Sequence, residues 1–236
     1  MKFEPPYIKD LNFIYFNDIH GKYENLAKIT TKIKNIVHSK GDPFIIVDGG
    51  DNADFMKVEV EGTDGIISSA LLNEIQCDFR IVGNNEGFSG IANLQKMSEV
   101  FNGDFLTCNL YDLYTGNNLS MLKDGVIIEK NSIKILFIGI TAPYNTFYHL
   151  YGIDAKDPQA EIKRVLDSLK NYSYDMAILL SHLGLEEDKI IAEKFPDFQI
   201  IIGSHSHTQI KNPIKINNTL IVQAKEFGVN FGLLEL

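Results

Sequence analysis

Apolar runs along this chain are short, and several of them stop at the same kind of polar cluster. Phe13-Ile14-Tyr15-Phe16, Phe44-Ile45-Ile46-Val47, Phe79-Arg80-Ile81-Val82, Met176-Ala177-Ile178-Leu179-Leu180 and Phe198-Gln199-Ile200-Ile201-Ile202 have the length and the aromatic or branched content of buried strands. After the first of them Leu26, Ile29, Ile33, Ile36 and Val37 fall on one face of a helix, and Gly41 is its stop signal. A second helix is predicted near Thr63 to Ile75. Asp157-Pro158 supply the N-cap and first-turn proline of a third, which carries Ile162, Val165, Leu166 and Leu169. This alternation predicts parallel pairing through crossover helices. Val126-Ile127-Ile128 and Ile133 to Ile138, separated by Glu129-Lys130-Asn131-Ser132, read as a hairpin, so the sheets are expected to be mixed. Strands around Leu220–Val222 and Phe231–Leu234 close the chain. No linker or internal repeat interrupts the pattern, and one domain over residues 1–236 is expected.

The chemistry sits where the strands end. Asp18-Ile19-His20, Gly50-Asp51, Gly83-Asn84, Ser181-His182 and Gly203-Ser204-His205-Ser206-His207 each follow or close one of the apolar runs. Ligands of α/β proteins bind outside the carboxyl ends of the strands, so clusters far apart in sequence can meet there. Together they offer two Asp, one Asn and four of the six His of the chain. That hard and borderline set suits two divalent cations, and imidazole and carboxylate accept Mn, Fe or Zn alike. Taken singly, each cluster reads as a cap, a turn or a strand-end histidine. Five in succession at strand ends do not.

Composition narrows the function classes. With 236 residues and 44% apolar content, the chain can bury a sizeable core. A formal charge of -9 argues against a nucleic-acid partner held by a basic surface. Two bound dications would still make an anionic substrate compatible with this acidity. No stretch is long enough to span a membrane, and Met1 to Tyr7 lack the apolar core of a leader, so a cytoplasmic location is expected. Cys77 and Cys108 form no C-x-x-C pair and no secreted framework, so free buried thiols are expected. Oligomeric state is not encoded in any readable pattern.

Asn17-Asp18-Ile19-His20-Gly21, Gly49-Gly50-Asp51-Asn52, Gly83-Asn84-Asn85-Glu86, Ser181-His182-Leu183-Gly184 and Gly203 to His207, in this order, resemble the motifs of the calcineurin-like metallophosphoesterases. The catalytic domain of the 5'-nucleotidase branch is the nearest match. Thr107-Cys108-Asn109-Leu110 and Gly139 to Pro143 resemble its intervening segments, and the likeness runs from about Leu11 onward. The resemblance implies an α/β fold, a sandwich of two mixed β-sheets flanked by helices, with a dinuclear metal site at the strand carboxyl ends. It further implies that Asp18, His20 and His207 hold one cation, that Asn84, His182 and His205 hold the other, and that Asp51 bridges them. A carboxylate on a Gly-rich turn can offer two oxygens without obstruction, which agrees with that role for Asp51. A bridging hydroxide would then attack phosphorus in line while the cations polarise the phosphoryl oxygens.

Two positions depart from the resembling family. Its turn usually reads Gly-Asn-His-Glu, the histidine serving the leaving group, whereas this chain has Asn85; the acidic residue that supports that histidine is replaced by Phe88. A general acid is worth about 10²- to 10⁴-fold, so weak or leaving-group-dependent turnover is expected. Asn85 is open to three origins: a natural subfamily variant, an engineered substitution, or decay toward a non-catalytic role. The expected function is a metal-dependent phosphoester hydrolase of 5'-nucleotidase-like type acting on a small phosphorylated substrate, a nucleotide being the leading choice. A phosphodiesterase or pyrophosphohydrolase acting on good leaving groups is the alternative, and a non-catalytic metal-binding or scaffold protein a third. The carboxy-terminal nucleoside-recognition domain of the resembling nucleotidases is not expected, because the chain closes at Phe231 to Leu236. Tyr144, Phe147, Tyr148 and Tyr151 could stack a base or simply pack a loop. Glu86 either caps its turn or orients a ligand. His38 and His149 match no ligand motif and are expected to be structural or solvated.

Overall fold

The computed structural model describes residues 11–41 and 44–236; Met1 to Tyr7, on which the leader reading rests, lie outside them. In chain order the strands are β1 (Asn12–Phe16), β2 (Phe44–Asp48), β3 (Phe79–Ile81), β4 (Asp104–Leu106), β5 (Leu110–Asp112), β6 (Gly125–Lys130), β7 (Ile133–Thr141), β8 (Ile153–Ala155), β9 (Met176–His182), β10 (Phe198–Ile202), β11 (Ile214–Ile216), β12 (Thr219–Val222) and β13 (Gly232–Glu235). The helices are α1 (Tyr23–Lys40), α2 (Val58–Glu61), α3 (Ile66–Ile75), α4 (Asn84–Gly87), α5 (Ile91–Val100), α6 (Asn145–Tyr148), α7 (Pro158–Leu169) and α8 (Leu185–Lys194), with a 3-10 turn at His149–Tyr151.

One sheet has the order β13-β1-β2-β3-β4, parallel except for β13. Apart from a two-stranded antiparallel ribbon of β5 with β8, the second large sheet has the order β11-β12-β10-β9-β7-β6, parallel inside and antiparallel at both edges. They stack face to face. Phe13, Tyr15, Ile45, Val47, Phe79 and Ile81 meet Phe137, Ile178, Leu180, Ile200 and Ile202 in one buried cluster, with the Phe79 and Phe137 rings 4.5 Å apart. Alternate residues point outward and are covered as well: Ile14 and Phe16 by α1 and α3, Leu136 and Leu179 by α7 and α8. Burial on both faces explains why these strands read as unbroken apolar runs rather than alternating ones.

The mixed sandwich is as expected, and so are the hairpin of β6 with β7, the stop of α1 at Gly41 (φ 69°), and the Asp157 cap, whose carboxylate accepts from the Ala160 N–H. The helix expected near Thr63 to Ile75 is present as α3, which starts at Ile66 after Gly65, whose φ of 80° does not continue a helix; the short α2 before it was not predicted. Helices α5 and α8 and strands β4, β5, β8 and β11 were not predicted. In α8 the first turn holds Glu186, Glu187 and Asp188, and the last of these is buried, which breaks the apolar periodicity a reader relies on.

Register brings the chemistry to one edge. Phe16 lies opposite Asp48 and Leu180 opposite Ile202, so the polar segments that follow β1, β2, β9 and β10 leave their sheets level with one another. Beside them, β3 contributes a charged residue to an apolar run. Arg80 is fully buried on the helix side of its strand, over the Phe105 ring at 4.8 Å. Its guanidinium donates to Ser68 Oγ (3.0 Å), Ser69 Oγ (3.1 Å) and Glu86 Oε1 (2.8 Å), and its Nε lies 3.4 Å from Asp48 Oδ2. Burial pushes the Asp48 carboxyl up to about 7 even with this cation beside it. Removing the guanidinium would leave two buried acids without a counter-ion. Arg80→Met is expected to lower unfolding free energy by about 3–5 kcal/mol, read from urea denaturation.

Candidate metal centre

The segments that leave the strands are tied to one another before any side chain is considered. Backbone N–H groups of Asp18, His20 and Gly21 donate to the carbonyls of Gly50, Asp51 and Asn52, at 2.9, 2.8 and 3.0 Å. Glu86 binds the next pair of loops together: its carboxylate accepts from the N–H groups of Asp51 (2.8 Å), Ala53 (2.7 Å) and Gly83 (3.0 Å). Through the Gly83 N–H the same side chain caps the first turn of α4. Glu86 therefore fills both roles left open by the sequence. Gly83 allows this approach, because a Cβ there would stand 2.2 Å from Asp51 Oδ1. The loops are also strained. Asp18, His20, Asp51, His205 and His207 all have φ between 48° and 70°, a region that costs a non-glycine residue of order 1–3 kcal/mol and persists where surrounding contacts enforce it.

These backbones deliver seven side chains to two adjoining groups. In the first, His207 Nε2 is 3.2 Å from His20 Nε2 and 3.4 Å from Asp18 Oδ1, an oxygen that is buried with no hydrogen-bond donor. In the second, His182 Nε2 is 3.3 Å from both Asp51 Oδ2 and Asn84 Oδ1. Asn84 Oδ1 also lies 3.1 Å from His205 Nδ1 and 3.2 Å from Asp51 Oδ2, so it faces acceptors and ligand nitrogens only; turned over, the amide would donate there instead. Atoms held roughly 2.0–2.2 Å from a common cation stand about 3.0–3.5 Å from one another, so most of these spacings match the edges of a coordination polyhedron. Within each group, Asp18-His20-His207 and Asp51-His182-His205, the candidate ligand atoms lie within 4.8 Å of one another. Asp51 Oδ2 belongs to both, being 3.8 Å from His20 Nε2 as well as 3.3 Å from His182 Nε2.

Electrostatics support the same reading. Burial disfavours charge at His182, but the Asp51 carboxylate against it more than compensates and raises its pKa well above the ordinary histidine value; Asp51 is correspondingly held low despite its own burial. The Asp18 carboxyl is likewise lowered, burial being outweighed by the His207 imidazole beside it, whose own pKa is raised by that carboxylate. In the second group His182 and Asp51 thus form an imidazolium–carboxylate pair, with a proton supplying the positive charge that a cation would bring. The other ring nitrogens are spoken for. His182 Nδ1 lies 2.8 Å from Gly49 O, and His205 Nε2 lies 2.7 Å from the Tyr144 hydroxyl, which leaves His182 Nε2 and His205 Nδ1 for the centre.

Comparison with known proteins agrees with this geometry. Residues 11–209 match the family model of the calcineurin-like phosphoesterases. The chain belongs to this family. It is 32% identical over 234 residues to the uncharacterized metallophosphoesterase YunD of Bacillus subtilis, covering 96% of the chain and 50% of that relative. It is 27% identical over 267 residues to a 5'-nucleotidase of Vibrio cholerae, covering 94% of the chain and 48% of the relative. The fold superposes on the NAD nucleotidase of Haemophilus influenzae with a TM-score of 0.84 at 20% identity, over 96% of this chain and 47% of that one. The chain spans about half the length of the curated relatives it matches.

Within this calcineurin-like fold, the two unusual positions have definite contacts. Asn85 donates from its backbone N–H to Asp51 Oδ1 and from its amide to Asp51 Oδ2, both at 2.8 Å. Phe88 packs against the rings of Phe147 and Tyr148 at 5.3 Å and of Tyr144 at 6.3 Å. His149 pairs with Asp154 away from the centre and His38 lies in the last turn of α1, as expected of residues outside the ligand motifs. No pattern in the sequence marked Phe227, which stands edge-on to His20 and His207 at 5.6 and 5.7 Å with φ 63°. Nor did it signal the contact of Tyr144 with His205, since the aromatic loop was conspicuous but its partner was not.

Tyr144→Phe is expected to weaken the second divalent cation about 10-fold or more while leaving the first nearly unchanged, in a Mn²⁺ titration by calorimetry. Metal and proton compete for His182 and His207. Because both pKa values are raised, the metal-free protein carries these protons above the ordinary histidine range, and loading near pH 7.5 is expected to release protons, seen as a dependence of the calorimetric enthalpy on buffer ionisation heat. Release should fall toward zero as the pH rises past the raised values, and affinity should climb until then.

Proposed function

We propose that this chain is a metal-dependent phosphoester hydrolase of 5'-nucleotidase-like type, holding two divalent cations on Asp18, His20, His207 and on Asn84, His182, His205, with Asp51 shared. The observation that carries the reading is the placement of one carboxylate oxygen, Asp51 Oδ2, within reach of both ligand groups. Two such cations, when bound, supply Lewis acidity to phosphoryl oxygens and acidify water. Manganese is a suitable metal for this mixture of carboxylate, amide and imidazole, as are iron and zinc. A small phosphorylated substrate, a nucleotide among the candidates, is the partner this chemistry takes. The free, buried Cys77 and Cys108 fit a reducing cytoplasmic location. Among the described residues no helix is long and apolar enough to cross a membrane.

The protein's own residues divide the work. His207 and His20 line the more open side of the centre, while Asp18, Asp51 and His182 are buried. The buried set fixes position; the open side admits the phosphate. Asn85, at the turn where the related enzymes place a histidine, anchors both oxygens of Asp51 and presents an amide that can hydrogen-bond a substrate oxygen without delivering a proton. Esters whose alcohols leave readily as anions should therefore react faster.

The test is Mn²⁺-dependent hydrolysis of a matched aryl phosphomonoester and phosphodiester, with Asp51→Ala as the blank. Turnover lost in the blank is expected, and preference for the diester would favour the phosphodiesterase alternative. Asn85→His is expected to raise turnover of alkyl phosphates by about 10-fold or more, and of aryl phosphates by less. Equal effects on both classes would remove leaving-group protonation from the account.

A further inference from the structure

The aromatic residues beside the centre are split between interior and surface. Tyr148 is fully buried and forms a floor under Phe88, whereas Phe147 is 53% exposed and Tyr144 38% exposed. Phe88 sits between the two exposed rings, 5.3 Å from Phe147 and 6.3 Å from Tyr144. The shelf they form begins at the metal centre, because the Tyr144 hydroxyl touches His205 Nε2. It also adjoins Asn85, because Phe88 caps the single helical turn on which Asn84 and Asn85 lie, its N–H bonded to Asn84 O at 2.9 Å. Packing alone does not call for a half-exposed Phe147, since Tyr148 already closes the interior beneath Phe88.

We propose that Phe88, Tyr144 and Phe147 form a leaving-group subsite for flat, apolar groups, which makes aryl phosphate esters the preferred substrate class. This deepens the phosphoesterase reading and rests on it. Two independent features converge on the same class. Asn85 has no proton to give, which favours a departing oxygen that is stable as an anion, as a phenolate is far more than an alkoxide. The surface next to it offers ring faces and edges, on which a planar group gains offset or edge contacts that a saturated one does not. In the reaction the P–O bond to the aryl oxygen breaks and its electron pair leaves with the phenolate. The attacking water forms the new P–O bond, and its released proton neutralises the phenolate in solvent.

The shelf is tested by binding, independently of turnover. Benzylphosphonate keeps the shape of phenyl phosphate but cannot be hydrolysed, and cyclohexylmethylphosphonate is its saturated, non-planar counterpart. Calorimetric titration of both into the Mn²⁺-loaded protein is expected to show about 3- to 10-fold tighter binding of the benzyl compound. Phe147→Ala, at an exposed position, should erase the difference, and Phe147→Tyr should restore it. Equal affinities in the unsubstituted protein, or a preference that survives in Phe147→Ala, would overturn the subsite. Phenyl phosphate is assayed in parallel. Benzyl preference without any phenyl phosphate hydrolysis would keep the shelf as a binding site and dismiss the hydrolase reading instead.

Discussion

The buried contact between Glu86 and Arg80 is the constraint on which the centre depends. Three backbone N–H groups from two different loops converge on one carboxylate, and a guanidinium held by Ser68 and Ser69 neutralises it from behind. That arrangement fixes the separation of Asp51 from Asn84, which come from the ends of β2 and β3. A charged pair with no exposure is not an efficient way to stabilise a core, because desolvation cancels much of the attraction. Here its value is positional. The carboxylate gathers donors that would otherwise be orphaned in a water-poor interior, and in doing so holds the shared ligand against the second group.

The same loops store strain and charge that a pair of cations would relieve. Five of the candidate ligand residues adopt left-handed backbone conformations, Asp18 Oδ1 is buried without a donor, and Asn84 Oδ1 faces acceptors and imidazoles. Each is unfavourable in isolation. Together they describe a cavity shaped for positive charge, in which a proton on His182 faces the Asp51 carboxylate. Asp51 links the two halves, and Asn85 is bonded to both of its oxygens.

Much of this was legible in the sequence because strand ends are punctuated. Apolar runs stopping at Asp18, Asp51, Asn84, His182 and His205 announce both the sheets and the side chains that gather at their ends, and parallel register then aligns them without further instruction. What stayed hidden has a common physical origin, namely contacts between segments distant in sequence. Arg80 interrupts an apolar strand, yet nothing local reveals that its partners are Asp48 and Glu86. Phe227 and Tyr144 become meaningful only once folding sets them against His20, His207 and His205. Short elements such as α5 and β4 were missed because their stability comes from the neighbours they pack on rather than from their own pattern.

Two cations sharing Asp51 would be visible by anomalous scattering from crystals loaded with Mn²⁺. Two peaks roughly 3.5 to 4 Å apart are expected, one among Asp18, His20 and His207, the other among Asn84, His182 and His205, with an Asp51 oxygen between them. A single peak, or two peaks of which neither contacts Asp51, would contradict that sharing.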